Sequence, residues 1–174
     1  MLALTEAAIR RSLVNCSRSE VAAMTLPRDL DALDWAAIDV LGWRDPKAEL
    51  RGYLVHEHGG RAVGLALRAA DTTMSSRRSA MCLLCHSVQS AAAISLFTAR
   101  RVGEAGRNGN TVGTYICADL DCAHRVLDVP PTALHLDEEL QSLAVEERVA
   151  GLRQRLQAFT SDVLLERAWT GSFR

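Results

Sequence analysis

Two pairs of closely spaced cysteines constrain this chain of 174 residues more than any other feature. The first pair, Cys82 and Cys85, is separated by two residues in MCLLCHS, and the second pair, Cys117 and Cys122, is separated by four residues in YICADLDC. Thirty-one residues lie between the pairs, and Cys16 is the one other cysteine in the sequence. Tetrahedral zinc binds four soft ligands, which are commonly delivered as two short pairs. The spacing therefore predicts a single structural zinc ion.

Other interpretations of these cysteines stay open at this point. Cys82 and Cys85 alone have the spacing of a redox pair, which would make the protein a thiol redox enzyme, but no thioredoxin-like βαβ pattern surrounds them. Inert buried thiols are a second alternative. His86 and His124 lie beside the two pairs and could each replace a cysteine, although the neighbours of a ligand usually point away from the ion. A closed four-cysteine site favours a structural ion over a catalytic one.

The residues between the pairs predict an antiparallel hairpin. Residues 91–98 (AAAISLFT) and 111–116 (TVGTYI) are rich in strand-forming residues. Cys117 then lies at the end of a strand, and Cys122 lies in the first turn of a following helix. A knuckle, a hairpin, a strand end and a helix start, in that order, are the layout of a treble-clef zinc finger, which we place at residues 79–130.

The rest of the chain predicts an α+β fold. Two short N-terminal helices are expected first, of which Thr5 can cap the first and Ser17 or Ser19 the second, followed by an irregular or short helical run over 29–46. Strands 51–57 and 61–68 should follow, joined by a tight turn at His58-Gly59-Gly60, and an amphipathic C-terminal helix should cover 134–168. We therefore expect residues 1–174 to form a single domain, with small antiparallel sheets, an embedded treble-clef finger and a long C-terminal helix.

Composition and motifs exclude several classes of function. The net charge is −1, from 20 basic and 21 acidic residues, which argues against a generic binder of polyanions. The sequence has no apolar run long enough to span a membrane and no cleavable signal pattern, so we expect a cytoplasmic protein. It has no nucleophile elbow, P-loop or dinucleotide fingerprint. We therefore expect no enzymatic activity and no small-molecule substrate.

Several residues beside the predicted finger are candidates for binding a partner. Five arginines lie before the first cysteine pair or around the glycine-rich segment 100–110, and a zinc ion that gathers these segments could bring their guanidinium groups to one face. A planar guanidinium suits carboxylates or phosphates, although solvated arginines are equally common. A leucine inside the knuckle could present an apolar tip. The candidates are Arg77, Arg78, Leu83, Arg100, Arg101 and Arg107.

Two further features receive structural interpretations. His56 and His58 would share one face of a strand, but they lie at a hairpin tip, and we interpret them as part of a solvated turn rather than a metal site. We interpret Cys16 as a small buried hydrophobic residue.

At this point the chain resembles a known family. The segments LPRDLDALDWAAIDVLGWRDPKA, RSAMCLLCHSV and AGRNGNTVGTYICADLDCAHRV are similar to those of the FBP-type proteins. These share the C-terminal treble-clef zinc-finger domain of the elongation factor G-binding, FusB-type fusidic acid resistance proteins. The resemblance extends from about Leu4 to the C-terminal helix and follows a short, single-domain actinobacterial branch most closely.

The resemblance implies a zinc site and a partner. It implies Cys82, Cys85, Cys117 and Cys122 as ligands, with one departure: the resistance proteins have histidine where this chain has Cys122, a swap that zinc tolerates. It also implies that the finger binds elongation factor G and promotes its release from the ribosome. The resistance proteins have an additional N-terminal helical bundle, to which we expect nothing in this sequence to correspond. A ribosomal or RNA partner without elongation factor G contact is the alternative.

Overall fold

Seven strands and five α-helices make up the part of the chain that the computed structural model describes, residues 1–128, 133–135 and 137–165. The strands are β1 (Val40–Arg44), β2 (Arg51–His58), β3 (Arg61–Ala69), β4 (Ser79–Met81), β5 (Val88–Ser90), β6 (Ile94–Arg100) and β7 (Thr111–Cys117). The helices are α1 (Glu6–Ser12), α2 (Arg18–Ala23), α3 (Gly103–Arg107), α4 (Cys122–Arg125) and α5 (Glu138–Leu164). The expected α+β fold with a long C-terminal helix is confirmed.

The strands form two antiparallel sheets. The larger sheet has the order β1-β2-β3-β6-β7, and β4 pairs with β5 in a separate small hairpin. Within the larger sheet β6 and β7 pair along their whole length, from Ile94 opposite Cys117 to Arg100 opposite Thr111. The predicted hairpin between the cysteine pairs is therefore present, and its two ends lie about 20 Å apart, at roughly 3.3 Å per residue.

Local signals set the ends of the short N-terminal helices. Thr5 caps α1, its side chain accepting a hydrogen bond from the amide of Ala8. Ser17 caps α2 in a reciprocal arrangement with Glu20, where each side chain accepts from the other residue's backbone amide. Both caps agree with the prediction. The second cap places the carboxylate of Glu20 beside Arg100, at the end of β6.

Two segments differ from the sequence prediction. In the run 29–46 the structure has a 3-10 turn at Leu30–Ala32 and then the edge strand β1, which pairs with β2. The strand lies close to the turn of the second cysteine pair and needs glycine there, because a Cβ at Gly42 would lie 2.2 Å from the carbonyl oxygen of Leu120. The segment 100–110 is not simply a loop, since it contains α3. Gly103 enters α3 with a left-handed φ of 70°.

The core lies on both sides of the larger sheet. On one side α1 packs against β3, and on the other α5 lies against β2 and β7. Along α5 the buried residues are Leu152, Leu156, Phe159, Thr160 and Val163. The helix begins at Glu138, later than the predicted start at 134, because Asp137 caps it by accepting from the amide of Leu140. The last predicted residues, 166–168, lie outside the described residues. No helix among the described residues is long and apolar enough to cross a membrane.

The interpretation of His56 and His58 as a solvated turn is wrong. They are 2% and 8% exposed, because alternate residues of β2 face the same side and α5 covers that side. The Nε2 atom of His56 lies 2.6 Å from the Oγ1 atom of Thr160. Burial, with a smaller contribution from the neighbouring His58, lowers the pKa of His56 to about 4. His56 is therefore a neutral core residue that ties α5 to the sheet.

Candidate metal centre

The fold brings the four cysteines of the two pairs to one point. Their sulfur atoms all lie within 4.8 Å of one another, and all four residues are fully buried. Cys82 and Cys85 come from the turn between β4 and β5, Cys117 ends β7, and Cys122 begins α4. The site therefore joins three separate pieces of backbone.

The spacing of the sulfur atoms fits a tetrahedral zinc ion. Zinc–sulfur bonds of about 2.3 Å place neighbouring sulfurs of a tetrahedron about 3.8 Å apart. The Sγ atoms of Cys82 and Cys122 are 3.6 Å apart, as are those of Cys85 and Cys117. Four thiolate donors with no water-accessible position are the ligand set of a closed, structural zinc site. The prediction of one structural zinc ion is confirmed.

Hydrogen-bond donors surround the sulfurs and support the thiolate form. The amides of Leu84 and Cys85 each point at the Sγ atom of Cys82, at 3.4 Å. The side-chain Nε2 of Gln89 donates to the Sγ atom of Cys117 at 3.2 Å, and the Ser87 hydroxyl lies 3.1 Å from the Sγ atom of Cys85. Such outer contacts orient metal ligands and tune their affinity.

The close packing of the sulfurs divides their acidity into two classes. Hydrogen bonds from Cys117 and Cys122 lower the pKa of Cys82 to about 7 and that of Cys85 well below its ordinary value. Hydrogen bonding to the other cysteines and burial raise the pKa of Cys122 far above the ordinary value. Four such groups cannot all be ionised without a cation between them. A divalent ion would supply that charge and favour four thiolates together.

Tight turns hold the two halves of the site. His86 follows the first pair with a left-handed φ of 57°, and its amide donates to the carbonyl of Cys82 at 2.9 Å. Leu120, between the second pair, has a φ of 65° and is fully buried against β1. Leu120 thus anchors the turn of the second pair in the core of the larger sheet.

The two histidines beside the cysteines are not part of the cluster. The four-cysteine group lacks both of them, and His124 is exposed, with its Nδ1 atom hydrogen-bonded to the carboxylate of Asp121. His86 is also exposed. Cys16 lies outside the cluster and is only half-buried. Burial, with a smaller contribution from Glu20, raises the pKa of Cys16 to about 11, so it remains a neutral thiol.

The structure separates the candidate arginines into two groups. Arg77 and Arg78 precede β4 close to the zinc end of the β6–β7 hairpin, because the carbonyl of Arg78 accepts from the amide of Ala91. Arg100, Arg101 and Arg107 lie at the opposite end of that hairpin. The expectation that the metal gathers all five on one face is therefore wrong. Whether any of them contacts a partner stays a prediction.

Two of the distal arginines are already paired within the chain. Arg100 forms an ion pair with Glu20, and Arg101 donates to both the carbonyl and the carboxylate of Asp162 in α5. These contacts fasten α2 and α5 to the end of β6. The two leucines of the knuckle also differ in exposure, since Leu84 is buried and Leu83 is 46% exposed.

Sequence reasoning missed the residues that support the centre. Gln89 and Ser87 lie just after the first pair, and a polar residue so close to a ligand is a signal that could have been used. Arg155 gave no such signal. Arg155 lies in α5, seventy-one residues after Leu84, and its Nε atom donates to the carbonyl of Leu84 at 2.6 Å. This hydrogen bond holds the knuckle against the helix, and we call it the Arg155 clamp.

The fold and the site define this protein as a treble-clef zinc-finger protein. The family model described as "FBP C-terminal treble-clef zinc-finger" matches residues 8–163. The chain therefore belongs to the FBP C-terminal treble-clef zinc-finger family, as its motifs predicted.

A solved structure has the same fold. The structure titled "Structure of the fusidic acid resistance protein FusC" aligns with a TM-score of 0.52 and 16% sequence identity, over 85% of this chain and 59% of that chain. The chain thus spans less than two thirds of that protein's length. No curated protein matches.

Proposed function

We propose that this protein is a non-enzymatic, cytoplasmic accessory factor of translation that binds elongation factor G through its zinc-finger lobe. Membership of the family and a fold shared with a fusidic acid resistance protein support this proposal. The observation that carries it is an apolar surface on the outside of the finger.

The apolar surface surrounds the zinc knuckle. Met81 and Val88 lie directly opposite each other in the β4–β5 hairpin and are 44% and 69% exposed. The amide of Leu83 donates to the carbonyl of Tyr115 at 2.8 Å, which brings β7 against the knuckle. Tyr115 is 45% exposed, close to the value for Leu83. We call these four residues the knuckle surface.

Such a surface is suited to protein recognition. Large apolar side chains exposed together on a rigid support are typical of binding sites, where a few buried anchors supply most of the affinity. The metal and the Arg155 clamp fix the backbone beneath the knuckle surface, so little conformational entropy is lost when a partner covers it. Arg77 and Arg78 lie just before β4 and could form part of a polar rim.

The mechanism would be differential binding. A protein that binds one conformation of elongation factor G more tightly than another shifts the population toward that conformation. If the favoured conformation has lower affinity for the ribosome, the factor leaves sooner. This needs no bond to be made or broken, and the zinc ion serves only to shape the lobe.

Binding of ribosomal RNA without elongation factor G contact is the alternative function. Arg77 and Arg78 favour it, because both are exposed and neither has an ion pair among the described residues. Phosphate contacts would make the affinity fall steeply with salt, whereas an apolar knuckle contact would not.

Calorimetric titration of the zinc-loaded protein with elongation factor G tests the proposal. We expect a one-to-one complex that Leu83→Asp weakens at least tenfold, because a charge would be buried at the centre of the contact. Leu143→Asp is the matched control, since Leu143 is similarly exposed (53%) on α5, and it should leave the affinity unchanged. No binding by a folded, zinc-loaded protein would refute the proposal. Binding to ribosomal RNA, lost on reversing Arg77 and Arg78, would then favour the alternative.

A further inference from the structure

A cleft lies on one face of the larger sheet, away from the zinc site and next to Cys16 and Glu20. Strands β3 and β6 pair only from Leu67 opposite Ala99 to Ala69 opposite Phe97, and beyond Leu67 they separate. The cleft has a volume of about 250 Å³. Its charged and hydroxyl-bearing lining residues are Glu20, Arg51, Tyr53, Arg68, Thr98, Arg100 and Thr111.

Asn15 precedes Cys16, which lines the cleft, and its side chain bridges β3 and β6 where the two strands stop pairing. Its Nδ2 donates to the carbonyls of Ala66 in β3 and Arg100 in β6, both at 3.0 Å, and its Oδ1 accepts from the amide of Ala66 at 2.8 Å. Asn15 is only 8% exposed. One buried side chain thus satisfies the backbone groups of Ala66 and Arg100 that would otherwise have bonded from strand to strand.

Two arginines face each other across the adjoining strands. Arg51 in β2 lies directly opposite Arg68 in β3, where Cβ atoms are about 5 Å apart. Both side chains are exposed, and neither has an ion pair among the described residues. Like charges directly opposite one another destabilise a sheet. A ligand of opposite charge would turn that repulsion into a binding site.

The neighbouring strands continue the polar lining. Thr98 lies opposite Arg68 across β3 and β6, and Thr111 lies opposite Arg100 across β6 and β7. The charge of Arg100 is largely balanced by Glu20, which also accepts from the amide of Ser17. The net positive charge of the cleft therefore comes from Arg51 and Arg68, while the hydroxyl of Thr98 donates to the carbonyl of Arg68 at 3.3 Å.

We propose that this cleft binds the phosphate group of a small phosphate ester, with Arg51 and Arg68 holding it from two adjacent strands. Planar guanidinium groups match phosphate oxygens, and a pair of them supplies both charge and geometry. The volume suits one small ligand rather than a polymer, and the net charge of −1 gives the whole molecule little attraction for an extended polyanion. The cleft is separate from the knuckle surface, so this proposal does not depend on the proposed function.

Thermal unfolding and calorimetry with ribose 5-phosphate, inorganic phosphate and unphosphorylated ribose as probes test the proposal. Ribose 5-phosphate should raise the melting temperature of the zinc-loaded protein in a saturable way, and so should inorganic phosphate, because a ligand that binds only the folded state stabilises it. Ribose should have no effect. Sodium chloride at matched ionic strength should give a smaller, non-saturating rise, since it only screens the two arginines.

Variants separate binding from folding. Arg68→Gln should lower the affinity for ribose 5-phosphate at least about tenfold, and the double variant that combines Arg51→Gln and Arg68→Gln should not bind it. Without ligand these variants should melt no lower than the natural protein, because they remove a repulsion. Arg61→Gln is the matched control: it removes the same charge from the same strand, but seven positions away at the Gly59-Gly60 turn, and it should bind normally.

Three results would overturn the proposal. One is binding of ribose as tight as that of ribose 5-phosphate. Another is phosphate binding that survives the double variant. The third is that neither ribose 5-phosphate nor inorganic phosphate binds, while a single-stranded RNA binds with an affinity whose salt dependence corresponds to several phosphate contacts. That result would assign the arginines to a nucleic-acid surface instead.

Discussion

The two ends of the β6–β7 hairpin are held in place by different physical means. At the Cys117 end, four buried sulfurs converge and a metal ion joins the knuckle, β7 and α4. At the Arg100 end, the strand is fastened by the side chain of Asn15 and by exposed ion pairs to Glu20 and Asp162. One hairpin therefore combines a metal-dependent end and a metal-independent end.

The difference explains where binding surfaces can form. A closed metal site fixes backbone without using outward-facing side chains, so Met81, Leu83 and Val88 remain free to contact a partner. The other end is fastened internally by Asn15 alone, and its charged side chains both hold neighbouring elements and line a cleft. Removing each fastening in turn should show how independent the two ends are.

Loss of the metal should have the largest effect. Cys117→Ser removes one of four thiolate ligands, and it should reduce bound zinc from one equivalent to well below one and lower stability by at least about 5 kcal/mol, because zinc binding in such fingers is coupled directly to folding. Cys16→Ser makes the same chemical change outside the cluster and should keep full zinc. Mass spectrometry under native conditions and thermal unfolding measure both. Full zinc occupancy in Cys117→Ser would disprove the assigned ligand set.

The zinc end was also the part most accessible to sequence analysis. Paired cysteines with short spacings encode the site locally, and the hairpin was identified because β-branched and aromatic residues cluster in 91–98 and 111–116. Its first strand was placed too early, since Ala91–Ala93 form a 3-10 turn and β6 begins at Ile94. The Arg100 end was not predictable in the same way. The side chain of Asn15 bridges Ala66 and Arg100, which lie fifty-one and eighty-five residues further along the chain. No local sequence pattern predicts such contacts.

The errors have a common physical cause. Strand β1 was missed because its residues gain their strand conformation from pairing with β2 and from the approach of Leu120 to Gly42, not from their own alternation. His56 was taken for a turn residue because the helix that covers it, α5, lies a hundred residues further along the chain. Both are cases in which tertiary contact overrides a weak local signal.

Asn15→Ala should have the next largest effect and should act on the Arg100 end of the β6–β7 hairpin alone. It leaves the amide and carbonyl of Ala66 and the carbonyl of Arg100 without their buried partner, which should lower stability by about 2–3 kcal/mol. Asn108→Ala, on the exposed end of α3, should cost less than about 0.5 kcal/mol. Urea unfolding gives both values. Zinc stoichiometry should stay at one if the two ends are independent; a loss of zinc in Asn15→Ala would show that they are coupled.

Gln89→Leu should have a smaller effect, limited to the zinc end. It removes the donor to the Cys117 sulfur while keeping side-chain volume, and zinc affinity should fall about tenfold, equivalent to about 1.4 kcal/mol. Gln154→Leu, at an exposed position of α5, is the control. Competition with a chromophoric chelator measures the affinity. An unchanged affinity in Gln89→Leu would mean that the backbone amides of Leu84 and Cys85 alone are sufficient to orient the sulfurs.

Glu20→Gln should have the smallest effect, because it breaks an exposed ion pair with Arg100, and such pairs contribute at most about 1 kcal/mol. The amide of Ser17, with further help from Arg100, holds the pKa of Glu20 below its ordinary value of 4.5. A carboxylate whose folded pKa is lowered adds stability above its unfolded pKa and loses it as the pH falls through the folded value. The stability difference between the natural protein and Glu20→Gln should therefore be full near neutral pH and shrink below 4.5. Glu6→Gln, which breaks an ordinary exposed pair within α1, is the control. A difference that stays the same as the pH falls would show that Glu20 stabilises the protein through its hydrogen bond to the amide of Ser17 and not through its charge.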